Sequence, residues 1–206
     1  MTTDDEPGLA LPGGCRVTHG QGARIRRPFA DQPLTMHELH PGSPDPTGLS
    51  FRGQFGFIAF SEALRLPRHI HMSRDGRLLP ERILVLNGAG LVELNGALYI
   101  IPPGSLVDIA PGVPHTWTAC PTGIALPDGS ATDGTFLMIY CYSEPTSFSP
   151  IGTTATLSAG SAYVPYTGDV EAIRIPRHDA ATLLRQARCV WDRDLRSDLR
   201  LSSHPH

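Results

Sequence analysis

Apolar residues recur along most of this chain in short runs with a period of two, the spacing of strands that bury one face. Residues 51–60 place Phe51, Phe55 and Phe57 in one such run, and residues 63–72 form the next. Further strands are predicted at 83–86, 90–94, 97–101, 106–110, 115–120 and 136–142. In the last of these, Phe136, Met138, Tyr140 and Tyr142 alternate with Leu137, Ile139 and Cys141, so both faces are apolar enough to be buried. Weaker strands are predicted at 162–166 and 172–175. Asn95-Gly96 between two apolar runs is a strong hairpin signal. Ser73-Arg74-Asp75-Gly76, Pro102-Pro103-Gly104 and Pro111-Gly112-Val113-Pro114 mark other turns. Short strands separated by Gly, Pro and Asn turns indicate an all-β sandwich or barrel.

The two ends depart from this pattern. Residues 1–35 are rich in Pro, Gly and charge and predict an N-terminal arm without a core of its own. His19, His37 and His40 fall in or near it and read as surface residues. From Asp179, a plausible N-cap, the period changes to that of a helix. Ala180, Leu183, Leu184, Ala187, Val190, Trp191 and Leu195 share one face, predicting an amphipathic C-terminal helix. The organisation read from the chain is an arm at 1–35, a barrel at 36–176, and a helix and tail at 177–206. The apolar helix face and the arm together predict a homodimer.

Composition narrows the function more by exclusion than by assignment. At 206 residues the chain suits one domain with extensions. A formal net charge of -3 gives no electrostatic case for nucleic acid or an anionic membrane. The Arg residues at 185–200 are interleaved with Asp192, Asp194 and Asp198 and read as a solvated face. All 17 basic residues are Arg, which excludes lysine chemistry. Cys15, Cys120, Cys141 and Cys189 make no C-x-x-C pair and read as reduced thiols. No run approaches the roughly 18 apolar residues of a membrane span, and the acidic start does not read as a signal peptide. A cytoplasmic protein is expected.

The chemistry concentrates between Arg68 and Trp117. His69 and His71 point the same way on a strand, with Ile70 opposite. Glu81 and His115, each beside strand-like sequence, can complete a metal shell with them. Three imidazoles and one carboxylate without a thiolate suit Fe(II), Mn(II), Ni(II), Co(II) or Zn(II). Asp75 is the rival acid, but it sits in a turn that it can cap itself, whereas Glu81 leads a strand. Trp117 shares a face with His115, and Tyr140 and Tyr142 are placed to line the same pocket. Tyr140 and Trp117 are the candidate catalytic side chains, a phenol near a metal being able to move a proton.

This stretch resembles the two motifs of the cupin superfamily, G-x5-H-x-H-x3-4-E-x6-G and G-x5-P-x-G-x2-H-x3-N. Glu81 and Gly88 reproduce the end of the first, and Gly104, Gly112 and His115 keep the spacing of the second. Ala63 replaces the first motif's opening Gly, and the loop from His71 to Glu81 is longer than the motif's. Ala110 and Ala119 stand at the second motif's Pro and Asn. The resemblance implies a double-stranded β-helix, or jelly-roll barrel, with a His69, His71, Glu81, His115 metal site. It further implies a metal-dependent oxidoreductase, an Fe(II) dioxygenase that chelates a small enol or aromatic substrate beside dioxygen. A non-redox lyase, isomerase or cyclase on the same ligands is the alternative within enzymes. A metal- or small-molecule-binding barrel without turnover is the alternative outside them.

Overall fold

The computed structural model describes residues 8–22, 24–26, 36–38 and 55–203. In chain order the first strands are β1 (Leu9–Ala10), β2 (Arg16–His19), β3 (Arg24–Arg26), β4 (Met36–Glu38), β5 (Phe55–Ser61) and β6 (His69–Met72). The middle of the chain gives β7 (Glu81–Gly88), β8 (Gly90–Leu94), β9 (Ala97–Ile101), β10 (Ser105–Ile109) and β11 (His115–Ala119). Then come β12 (Ile124–Ala125), β13 (Thr135–Tyr142), β14 (Ser147–Pro150), the helix α1 (Ala180–Gln186), β15 (Arg188–Trp191), β16 (Asp194–Arg196) and β17 (Arg200–Leu201).

Two sheets carry the architecture. One has six strands in the order β1-β2-β10-β7-β13-β5, and the other has seven in the order β14-β6-β11-β8-β9-β15-β16. Between β5 and β14 the chain crosses repeatedly from one sheet to the other, with the β8–β9 hairpin kept within one sheet, as in a jelly roll, and the fold is the expected all-β barrel. Period-two burial explains why. Along β7 the residues Glu81, Ile83 and Val85 are buried while Arg82 and Leu86 are exposed. The inward residues of both sheets meet in one core that includes Val17, Ile83, Val85, Val92, Val107, Trp117, Phe136 and Met138. At about 25 cal/mol per Å² of apolar surface, such burial is the main stabilising term of the barrel. A second core, with Leu91, Ile100, Cys120, Ile175, Leu183 and Cys189, lies on the other face of the seven-stranded sheet.

Asn95 and Gly96 both take positive φ, 50° and 83°, and join β8 to β9 by the expected hairpin. Gly112 sits at φ 78° where an added Cβ would lie 2.3 Å from the Leu157 carbonyl oxygen, so the turn that launches His115 demands glycine.

Several expectations change. Residues 9–19 of the predicted arm are built into the barrel: β2 pairs with β10 from Arg16↔Asp108 to His19↔Ser105, and Cys15 and Val17 are buried. Residues 1–7 and 27–35 of that arm lie outside the described residues, as do His40 and positions 51–54 of the first predicted strand. His19 is not a surface residue but 3% exposed, its ring 4.4 Å from that of Trp191. The predicted strand at 63–72 shortens to His69–Met72, since Pro67 lacks the N–H a ladder needs. No strand forms at 162–166 or 172–175; Pro165 interrupts the first, and Asp169 caps a short 3₁₀ turn at Val170–Ile173 in the second.

The C-terminal helix is also shorter than predicted. Asp179 accepts from the Thr182 N–H as its N-cap, but α1 ends at Gln186. Residues from Arg188 onward pair in parallel with Tyr99 and Ile100 of β9, then fold back as β16. An open sheet edge offers these residues a full backbone ladder, and that tertiary gain overrides a helical spacing of apolar residues. Leu183 and Ala187 face the chain's own second core. No helix among the described residues is long and apolar enough to cross a membrane.

Candidate metal centre

The centre is assembled by register. His115 is the direct cross-strand partner of His69, and His71 follows two residues on along β6. All three therefore project from the seven-stranded sheet on one face. Glu81 arrives from the opposite sheet as the first inward residue of β7, where Tyr142 and Ile109 are its neighbours. Each histidine is 1% exposed and Glu81 is 4% exposed. One ligand atom from each histidine lies within 4.8 Å of the others. Glu81 Oε2 is 3.0 Å from His115 Nε2 and 3.4 Å from His71 Nε2.

The tautomers follow from the partners. His69 Nδ1 is 2.7 Å from the Pro67 carbonyl and His115 Nδ1 is 2.9 Å from the Val113 carbonyl. A carbonyl can only accept, so both Nδ1 atoms carry the proton and both Nε2 atoms present lone pairs. This backbone clamp on the far nitrogen is the arrangement that orients metal-binding imidazoles. Burial holds the His69 imidazole well below its ordinary pKa, and His115 and His71 beside it push the same way. For Glu81, burial alone would raise the carboxyl. Its contacts with His115 and His71 reverse that and hold it below the usual carboxylate range, so it is ionised.

A buried, ionised carboxylate thus faces the Nε2 atoms of His115 and His71. Glu81 Oε2 and His115 Nε2 are both buried and neither makes a hydrogen bond of acceptable geometry, although they are 3.0 Å apart. Uncompensated buried charge is costly, and a cation shared by these atoms is the chemical complement of the set. Nitrogen and oxygen donors without sulfur fit a divalent first-row metal. His69, His71 and His115, with Glu81, are the residues that would hold it.

The long loop between His71 and Glu81 settles where the two acids lie. Asp75 is in the turn, accepting from Ser73 Oγ at 2.5 Å and pairing with Arg77 at 2.9 Å, and it is exposed. The turn closes through Leu79 N–H to the His71 carbonyl at 2.9 Å, which delivers Glu81 to the start of β7. Asp75 is spent on the turn.

The aromatic candidates separate. Trp117 shares its face with His115 but sits two residues deeper, in the apolar core against Phe136. Tyr140 is partly buried, with its hydroxyl above Gly56. Tyr142 is the tyrosine that touches the cluster, its ring 4.5 Å from that of His71 and its phenol beside the Glu81 carboxylate. Burial and the Glu81 charge push its phenol far up, so it stays a proton donor. Phe148 is the residue that sequence reasoning missed. Its ring centroid is 4.5 Å from that of His69 and 5.2 Å from that of His71. The alternation in Ser147-Phe148-Ser149 was its only signal, and the surrounding Ser and Pro residues mask it.

No family model matches the chain, and no curated protein matches it. Solved structures do. A cupin 2 domain-containing protein from Halorhodospira halophila is 15% identical over 67% of this chain and 83% of that one, with a TM-score of 0.38. A dTDP sugar isomerase from Desulfovibrio desulfuricans is 15% identical over 74% and 94%, with a TM-score of 0.41. A salicylate 1,2-dioxygenase from Pseudaminobacter salicylatoxidans is 12% identical over 69% of this chain, with a TM-score of 0.35. The chain spans only 32% of that dioxygenase. At such values these likenesses carry no argument about reaction. The jelly-roll architecture and its buried three-histidine cluster rest on the chain's own strand order and register.

Proposed function

We propose that the chain is a metal-dependent cupin oxidoreductase, an Fe(II) dioxygenase acting on a small enol or aromatic substrate. The observation that carries it is the convergence of His69 and His115 lone pairs with the ionised Glu81 carboxylate at 3.0 Å from His115, without a hydrogen bond between them. A divalent metal held there supplies Lewis acidity and, as iron, one-electron chemistry with dioxygen. The chain's own groups do the rest. His69 and His115 are held in place by the Pro67 and Val113 carbonyls, His71 stands beside them, and all three rings are buried. Tyr142 keeps its proton beside Glu81 and can donate a hydrogen bond to an oxygen of a bound substrate. The side chains against the cluster, Tyr142 and Phe148, are aromatic, which favours a flat organic molecule over a phosphorylated one.

A second reading has one observation in its favour. A phenol held neutral beside the ionised Glu81 is an acid–base pair that needs no oxygen, as a lyase, isomerase or cyclase would use. Protein purified without chelators, assayed for metal and then offered small enols and hydroxylated aromatics with and without oxygen, decides. Oxygen uptake coupled to substrate loss supports the dioxygenase; equal turnover without oxygen moves the assignment to the non-redox reading. Binding without turnover reduces the barrel to a ligand-binding one.

A homodimer is a separate proposal. The helix offers little for it, but edge strand β5 carries Phe57 at 72% exposure. A monomeric mass at micromolar concentration would remove it.

A further inference from the structure

We propose that Phe148 is the gate of the metal centre, its ring closing the route by which ions and substrates reach His69 and His71. The proposal rests on the metal reading above. Phe148 is the direct cross-strand partner of His71 in the pairing of β14 with β6. Partners in register point to the same face, so Phe148 projects into the barrel with the histidines. A residue facing a barrel interior should be buried. The histidines beneath it are 1% exposed, yet Phe148 is 50% exposed. The interior therefore opens to solvent at this ring, and the ring stands between solvent and the imidazoles.

The strand around it is arranged to hold while the side chain moves. β14 is the edge of its sheet, paired on one side with β6. Its entry is tied by Thr146 Oγ1 donating to the Met72 carbonyl at 2.9 Å. Its exit is tied by Tyr163 donating its hydroxyl to the Pro150 carbonyl at 3.1 Å. Rotation about two side-chain torsions lifts the ring without breaking a ladder bond, and rotamer changes of half-exposed rings are fast compared with turnover. The class of molecule admitted is small and flat, able to slide along the face the ring vacates.

Stripping of a loaded ion tests this without any assay of activity. Protein is loaded with Co(II), and its visible absorption is followed after adding pyridine-2,6-dicarboxylate, a small flat chelator, or the bulkier EDTA. In the native chain the flat chelator should act faster than the bulky one. Phe148→Ala should raise the stripping rate about tenfold, an aromatic contact setting a barrier of that order. It should also abolish the difference between chelators, with the thermal midpoint and Co(II) stoichiometry unchanged. Phe148→Leu should fall between, and serves if the Ala variant does not fold. Phe57→Ala, exposed on β5, is the control and should strip like the native chain. Rates within twofold of native, or a preserved size preference in Phe148→Ala, overturn the gate. Failure of the native chain to take up Co(II) overturns the metal reading and the gate with it, a result distinct from binding with unaltered stripping.

Discussion

Among the described residues histidine is buried in two places, and the two burials are chemically opposite. His19 is 3% exposed beneath the C-terminal hairpin, its ring tilted against that of Trp191. Its Nδ1 accepts from the Asp192 N–H at 3.2 Å and the Gln21 N–H at 3.4 Å. A ring in this state ties β2 to the C-terminal hairpin and asks for nothing more. At the other site, the Nδ1 atoms of His69 and His115 face carbonyls and so are donors. Their Nε2 lone pairs are thereby turned inward, toward each other and toward a carboxylate. Burial alone does not distinguish a structural histidine from a ligand. The group opposite the far nitrogen does.

The comparison breaks most sharply by exchange of roles. Substituting His115 by Ala should reduce bound metal from near one per chain to a small fraction, measured by atomic absorption after gel filtration. The barrel should remain folded, because its apolar core is built without the metal. Removing an inner ligand or its orienting partner typically costs a site one to two orders of magnitude in affinity or more. Glu81→Gln should behave similarly, since the amide keeps the shape but removes the charge. Metal retained at native stoichiometry in both variants would mean that the cluster is an ordinary polar core.

His19→Ala should show the reverse. It strands the Asp192 and Gln21 amides and removes the ring under Trp191, a loss of about 2 kcal/mol by the usual cost of unsatisfied buried donors. Metal stoichiometry should not change. A native unfolding midpoint in urea, or loss of metal without loss of stability, would erase the contrast between the two burials.

What the chain discloses before folding follows the same division. The His69/His71 pair, Glu81 and His115 are legible because their signals are local: a period of two, a register from Glu81 to Gly88, and a glycine turn before His115. His19 is not legible. Its partners, Trp191 and Asp192, lie at the opposite end of the chain, and residues 187–195 satisfy a helical spacing as well as a strand one. Only the open edge of β9 selects the strand, and that edge exists only once the sheet has formed. Tyr142 and Tyr140 alternate with the same period, so spacing cannot say which of them reaches Glu81. Their depth along the barrel decides.

A pH titration sharpens the comparison further. Burial lowers the His19 pKa, with the nearby Asp192 and Asp128 opposing it. In the unfolded chain the ring returns to about 6.5. Between those two values the unfolded state binds the extra proton, so stability rises with pH. The contribution of His19 is fully present above the unfolded value and is lost as pH falls toward the lowered folded one. The metal-free cluster adds a dependence of the same sign through His69. Unfolding of native and His19→Gln chains at pH 7.5 and at pH 5.5 separates them. The native chain should lose more stability than the variant on acidification, by a few tenths of a kcal/mol to about 1 kcal/mol. Equal losses would show that His19 does not titrate with folding.

The smallest effect is expected at Asp75, and it tests the acid of the site from the other side. Asp75 lies four residues from His71, near where a short loop would place the ligand. In the folded chain it accepts from Ser73 Oγ and pairs with Arg77, both within its own turn. Hydrogen bonds from Ser73 and Arg77 lower its pKa, yet the group is fully exposed and solvent screens what it gains. Asp75→Asn keeps the size and one acceptor oxygen, so the unfolding midpoint should stay at the native value, as for other surface changes. Metal stoichiometry should match the native chain while Glu81→Gln, measured beside it, falls. If Asp75→Asn loses metal and Glu81→Gln keeps it, the turn must swing inward over the centre when the ion binds. The long loop would then supply the fourth ligand in place of the strand, and the register argument for Glu81 would be wrong.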